Sequence, residues 1–148
     1  MYSHALAAGR DAERAREFLA VSLTGGAPPN IAATIPRMVS EASPFGEIAY
    51  DYALANWEAL AKLAGTNGRV WLLPGAASNF NDAARAGRLI ADQRRVAGPD
   101  GASAAARTAA RIELLSAVRE RDAASLEKQL ASWRPAADRR VPPSAAAR

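Results

Sequence analysis

Pro44-Phe-Gly-Glu-Ile-Ala-Tyr-Asp-Tyr-Ala-Leu-Ala-Asn-Trp-Glu-Ala-Leu-Ala-Lys-Leu-Ala-Gly65 is the longest uninterrupted helical pattern in the chain. Phe45, Ile48, Tyr52, Ala55, Ala59 and Leu63 recur at three and four residues, which predicts one apolar stripe down a helix of about five turns. Leu54, Trp57 and Leu60 widen that stripe. A helix apolar over so much of its circumference must be covered on more than one side, so neighbours are expected both before and after it in the chain. Ser43 fits the N-cap, Pro44 the first helical position, and Gly65 the left-handed C-terminal turn.

Composition points the same way. Alanine, the best helix former, makes up about a quarter of the 148 residues, while β-branched residues are few and scattered. The length suits one domain with a real core. Arginine far outnumbers lysine, but acids are interspersed, so the net charge of +4 describes a mixed surface and gives a nucleic-acid partner little support. There is no cysteine, which removes disulfides, thiol nucleophiles and thiolate metal ligands. No apolar run approaches the roughly 20 residues of a membrane span. Residues 1–10 lack a signal peptide's basic flank and apolar centre, so the chain states no compartment.

Outward from the central stretch, Tyr2 to Ala8 reads as the tail of a helix closed by Gly9. Asp11 caps a second helix, Ala12 to Leu23, with Ala15, Phe18, Leu19 and Ser22 inward and Gly25-Gly26 at its end. Pro28-Pro29-Asn30 reads as a turn. Thr34 caps a short helix with Pro36 in its first turn and Ile35, Met38, Val39 and Ala42 inward. After Gly65, Val70-Trp71-Leu72-Leu73 could be a strand by periodicity. No second strand exists to pair with it, so a buried loop and a short helix are expected. Asn79-Phe80-Asn81-Asp82 reads as a cap, with Asn81 at the N-cap, opening a helix to about Val96. Gly98-Pro99-Asp100-Gly101 is a turn. Ser103 is expected to cap a helix to about Arg119 with Thr108, Ile112, Leu115 and Val118 inward. Asp122 is expected to cap a last one with Leu126, Leu130 and Trp133 inward. Residues 134–148, with Pro135 and Pro142-Pro143, read as a flexible tail.

Arg10-Asp11-Ala12 and Arg121-Asp122-Ala123 share a pattern, and Leu19-Ala20 and Leu130-Ala131 follow at the same offset. Both read as αα-hairpin joints, which argues for an all-α stack resembling an α-solenoid of the armadillo or HEAT kind, spanning residues 1–133. The first helix pair looks incomplete, which suggests the end of a longer array with an apolar face left for its missing neighbour.

Catalytic chemistry is not visible. His4 is the lone histidine, and a helix-borne zinc site needs two, so no metal ligand is assigned. There is no Gly-x-Ser-x-Gly turn for a serine nucleophile, and Glu47 and Asp51, at i and i+4, read as a solvated face. The arginines are more informative. Arg85, Arg88 and Arg95 share a face with Asp92 between them, and Arg107 and Arg111 stand one turn apart on the next helix. Antiparallel packing could join them, either as a salt-bridged exterior or as a carboxylate-binding, peptide-contacting patch on a concave wall. The expected aromatic core is Phe45, Tyr52, Trp57, Phe80 and Trp133.

The order of landmarks carries a resemblance. A helix ending at Gly-Arg-Asp is followed by a Gly-containing turn, an Ile-Pro helix, and Asn56-Trp-Glu-Ala-Leu60 before a glycine. A short apolar run with Pro74, the loop Ser78-Asn-Phe-Asn-Asp82 and two long closing helices complete it. From Leu6 to Trp133 this resembles the C-terminal helical domain of the aminopeptidase N and puromycin-sensitive aminopeptidase family of zinc exopeptidases. The resemblance implies a domain that packs on a catalytic domain and closes over its active site as a bowl, limiting which peptides enter. It implies zinc in the parent enzyme but none here, because the family's His-Glu-x-x-His and Gly-x-Met-x-Asn segments are absent and no catalytic residue carries over. The expected partners are therefore the parent's catalytic domain and peptide substrate, with neither nucleic acid nor membrane. The other expectation is a free-standing helical scaffold that binds a partner protein on its concave face.

Overall fold

The computed structural model describes residues 11–132 and contains no strand among them. Eight α-helices follow one another: α1 (Ala12–Val21), α2 (Pro29–Ala32), α3 (Ile35–Ala42), α4 (Gly46–Ala55), α5 (Trp57–Gly68), α6 (Leu72–Ala76), α7 (Ala83–Ala97) and α8 (Ala102–Ser132). Short 3₁₀ turns at Arg69–Trp71 and Gly98–Gly101 precede α6 and α8. The all-α class holds; of Val70-Trp71-Leu72-Leu73, the last two open the expected short helix, but in place of a buried loop Val70 and Trp71 lie in a 3₁₀ turn with Trp71 exposed.

The central stretch is two helices, not one. Asn56 takes φ −110° and ψ 24°, which ends α4 and starts α5. Its side-chain amide donates to the Tyr52 carbonyl at 2.9 Å, while its own carbonyl accepts from the Leu60 N–H at 3.1 Å. A short amide side chain that competes for backbone partners is what an alanine-rich helix needs to break without glycine or proline. The break shifts the phase of the apolar stripe. Ala49, Tyr50, Ala53, Trp57 and Leu60 are buried, whereas Phe45, Ile48, Tyr52 and Leu63 are half-buried and Ala55 and Ala59 are exposed.

Nor does the N-terminal cap fall where the sequence suggested. Ser43 closes α3 in an extended conformation, its hydroxyl donating to the Val39 carbonyl at 2.7 Å, and α4 starts two residues past Pro44. At the other end, Gly65 adopts φ 69° and ψ −178°, a conformation open to glycine alone, and kinks α5 where a left-handed C-terminal turn was expected to end it.

Two apolar clusters flank α4, so the expected cover on both sides is present. On one side Ala15, Phe18 and Leu19 of α1 meet Ile35 and Val39 of α3 and Ala49 of α4. On the other, Tyr50 and Ala53 join Trp57 and Leu60, the α6 residues Leu72, Leu73 and Ala76, Phe80, and the α7–α8 pair through Ala86, Leu89, Ala105, Ala109 and Ile112. The caps at Asp11 and Asp82 are direct: each carboxylate accepts the N–H two residues on, at 2.9 and 3.0 Å. The second cap lies one residue past the expected Asn81, because Asp82 is the residue with extended backbone. Pro28-Pro29-Asn30 opens the one-turn helix α2, since Pro29 at the first helical position is pre-set for it. Thr34 precedes α3 but does not cap it; its hydroxyl donates back to the Ile31 carbonyl at 2.8 Å.

The closing segment departs most from expectation. Residues 102–132 form one helix, about 46 Å long at 1.5 Å per residue. Neither Ser103 nor Asp122 interrupts it, and an interior aspartate costs only a few tenths of a kcal/mol. The supposed joint Arg121-Asp122-Ala123 therefore lies inside α8, and the helix-pair repeat does not carry over. The short helix α6 instead packs against α3, α4, α5, α7 and α8. On α8 the buried face is Ala104, Ala105, Ala109, Ile112 and Ser116, with Thr108, Leu115 and Val118 half-buried. Every residue from Arg119 to Ser132 is exposed, including Leu126 and Leu130, which were expected inward. Leu126→Ser and Leu130→Ser are accordingly expected to change stability by no more than about 0.5 kcal/mol each. A clear drop in urea midpoint would show that this end packs. The expectations at Tyr2 to Ala8, His4, Trp133 and residues 134–148 lie outside the described residues.

Candidate functional site

Where α4 crosses α7, three arginines meet three carboxylates. Glu47 and Asp51 stand one turn apart on α4, and Arg85, Arg88, Asp92 and Arg95 recur at three and four residues on α7, so each row presents its charges to the other. Arg85 Nε lies 3.0 Å from Glu47 Oε1, and Arg88 Nη1 lies 3.4 Å from Glu47 Oε2. Arg88 also bonds Asp51 through Nη2 and reaches Asp92 Oδ2 at 3.5 Å through Nε. Arg95 holds the other Asp92 oxygen at 2.9 Å. Beneath this layer Tyr50, with no exposed surface, donates its hydroxyl to Asp92 Oδ2 at 3.1 Å, and the Arg88 guanidinium lies over its ring at 4.9 Å. Tyr50 also packs on Phe80 with centroids 5.4 Å apart.

The electrostatics follow from burial. Loss of solvent pushes the Tyr50 phenol well above its ordinary value, and the neighbouring Asp92 charge pushes it further. The hydrogen bond to Asp51 raises the Arg88 guanidinium above its usual range. Below about pH 10 an unfolded tyrosine is neutral, as Tyr50 is in the fold, and this group has no effect on the pH dependence of stability. Above that pH the unfolded chain gives up a proton that the folded chain retains, so stability falls as pH rises, by up to about 1.4 kcal/mol per unit. Tyr50→Phe is expected to remove that part of the alkaline slope. At neutral pH it should cost about 1 kcal/mol, the worth of one hydrogen bond whose acceptor keeps Arg88 and Arg95. Urea melts from pH 8 to 11 on both proteins check this, and parallel curves would contradict it.

The five arginines grouped by sequence are not brought together. Arg85, Arg88 and Arg95 engage α4 and one another's acids, whereas Arg107 on α8 stacks over the Trp71 ring at 5.2 Å, and Arg111 is exposed without a described ion-pair partner. The α7 set is neutralised in place, three cations to three carboxylates, so it reads as the salt-bridged exterior and not as a free carboxylate trap. The sequence missed Tyr50 and the partnership of Glu47 and Asp51 with the arginines. The signal for the latter was present in the matched spacing of acids on one helix and arginines on another. Of the expected core, Trp57 and Phe80 are buried and Phe45 and Tyr52 half-buried. Tyr52 earns its place differently, with its hydroxyl 3.1 Å from Ser22 Oγ.

Beside Arg85 opens a polar cleft of about 450 Å³, bounded by Ser40, Glu47, Asn79, Asn81, Asp82 and Arg119 among others. Asn79 ties its floor, donating to the Ser40 and Glu41 carbonyls at 2.8 and 3.2 Å. The Ser40 hydroxyl is fully buried there without a hydrogen-bond partner among the described residues. Among the described residues no group of three His, Cys, Asp or Glu side chains could hold a metal, and no helix is long and apolar enough to cross a membrane. The arrangement can bind polar groups and join helices; it offers no nucleophile–base pair. Compared with known proteins, the chain matches no family model, no curated protein and no solved structure.

Proposed function

We propose that this chain is the non-catalytic C-terminal helical domain of a zinc aminopeptidase, packing on the catalytic domain and shaping peptide access to its active site. One observation carries the reading: some of the residues on which the family resemblance rests lie at joints of the fold or in its core. Asn56 breaks α4 from α5, Trp57 and Leu60 follow it into the core, Gly65 takes the positive φ, and Phe80 is buried from the Ser78–Asp82 loop. The exposed Leu126 and Leu130 on α8 suit a surface that a second domain covers. In this reading zinc resides in the catalytic domain, and the polar cleft beside Arg85 faces peptide. The test is the DNA on the 5′ side of the Met1 codon. The reading frame should continue upstream into a segment encoding His-Glu-x-x-His, and a frame without one overturns the proposal in favour of a free-standing scaffold.

A further inference from the structure

A second opening lies on a different part of the surface and has the opposite character. It is a groove of about 270 Å³ between α2, α5 and α6, with Ala33, Thr34, Arg37, Trp71, Leu72 and Gly75 among its walls. Trp71 is 49 % exposed although Leu72 and Leu73 beside it are buried, so a large indole is kept in water next to an available core. Ile31, on α2, is also exposed. No carboxylate lines the groove. Arg37 meets Glu41 through Nε alone, at 2.8 Å, which leaves its two Nη groups without a described partner. Arg107 covers the Trp71 ring at 5.2 Å and forms no ion pair with a described residue. The opening is thus apolar inside; Arg37 at its wall is paired with Glu41, and Arg107, stacked on Trp71 beside it, is the neighbouring cation without a described ion-pair partner.

We propose that this groove seats a segment of a partner protein that carries a bulky apolar side chain next to a carboxylate. The volume suits one leucine or phenylalanine side chain, which would cover the exposed face of Trp71, and the carboxylate would meet Arg107. Charge complementarity with Arg107 and the exposed indole both select this occupant. A nucleic-acid strand is disfavoured because it needs a basic track along its phosphates, and one unpaired cation does not make one. The inference stands apart from the aminopeptidase reading, since any partner chain can supply such a segment.

The test is an ¹⁵N–¹H NMR titration of the full chain with the capped tripeptide acetyl-Glu-Phe-Glu-amide. The Trp71 indole N–H and the Gly68 and Gly75 amides should shift together. The glutamine counterpart acetyl-Gln-Phe-Gln-amide and the variant Arg107→Ala should each bind about two- to fivefold more weakly, as expected for an exposed ion pair. Thr34→Trp, which fills the groove from its exposed rim, should abolish the shifts while the remaining spectrum stays folded. The proposal is overturned if those three signals do not move at millimolar peptide, if the glutamine peptide binds equally well, or if octathymidylate moves them at lower concentration than the peptide.

Discussion

Trp57→Ala is expected to cost the fold about 3–5 kcal/mol, the range for deleting a buried large aromatic side chain. Trp57 is 9 % exposed and is the first residue after the break at Asn56. Its indole sits in the larger apolar cluster with Leu60, Leu72, Leu73 and Leu89. The site cannot collapse easily into the space left behind. Asn56 fixes the entry angle of α5 through its bonds to Tyr52 and Leu60, and Leu60, fully buried, anchors the same helix one turn later. A cavity would therefore persist, and cavity volume adds to the lost transfer energy. Since domains of this size are stable by only about 5–15 kcal/mol, the loss should appear as a large fall in urea midpoint with an unchanged slope. A midpoint like that of the parent chain would show that the indole is not in the core.

Gly101→Ala is expected to cost about 1–3 kcal/mol through overpacking. Gly101 is buried at the turn into α8, where a Cβ would land on the carboxamide of Gln93, closer than van der Waals contact allows. Gln93 cannot swing away: it has no exposed surface, and its amide donates to the Val70 carbonyl at 3.2 Å. The close approach is what lets α8 turn back along α7. Because one side chain is the obstacle, the effect should be strongly non-additive. Adding Gln93→Ala to Gly101→Ala should destabilise by clearly less than the sum of the two single changes. Additive losses would place the cost elsewhere, in the backbone of the turn.

The sequence was legible where a helix end has its own chemistry. Asp11 and Asp82 cap by direct bonds to nearby N–H groups, and Gly65 holds a conformation no other residue takes easily, so local residue types were enough. The inner face of α1 was likewise complete in its periodicity. Periodicity could not show the break at Asn56, because it lies within a run of good helix formers and the pattern resumes on the far side with its phase shifted. That hidden rotation explains why Ala55 and Ala59 were placed inward and Tyr50 was not. The opposite error occurred at Asp122, where a residue that favours caps was read as one. Between Ala102 and Ser132 there is neither glycine nor proline, and that absence was the better guide to a single helix. Among the arginines, the sequence showed which shared a helix face but not what lay across from them. Glu47 and Asp51 come from a segment some 40 residues earlier, and only the packing of α4 on α7 sets them opposite Arg85 and Arg88.

The measurement that bears most directly on the proposed function is depletion of enzyme activity by an antibody raised against this chain, in an extract of its source cells. The account predicts that the antibody recognises a polypeptide much longer than 148 residues and removes with it a chelator-sensitive hydrolysis of alanyl- and leucyl-anilides. A recognised polypeptide of only 15.5 kDa, with the anilide hydrolysis left in the supernatant, would contradict it.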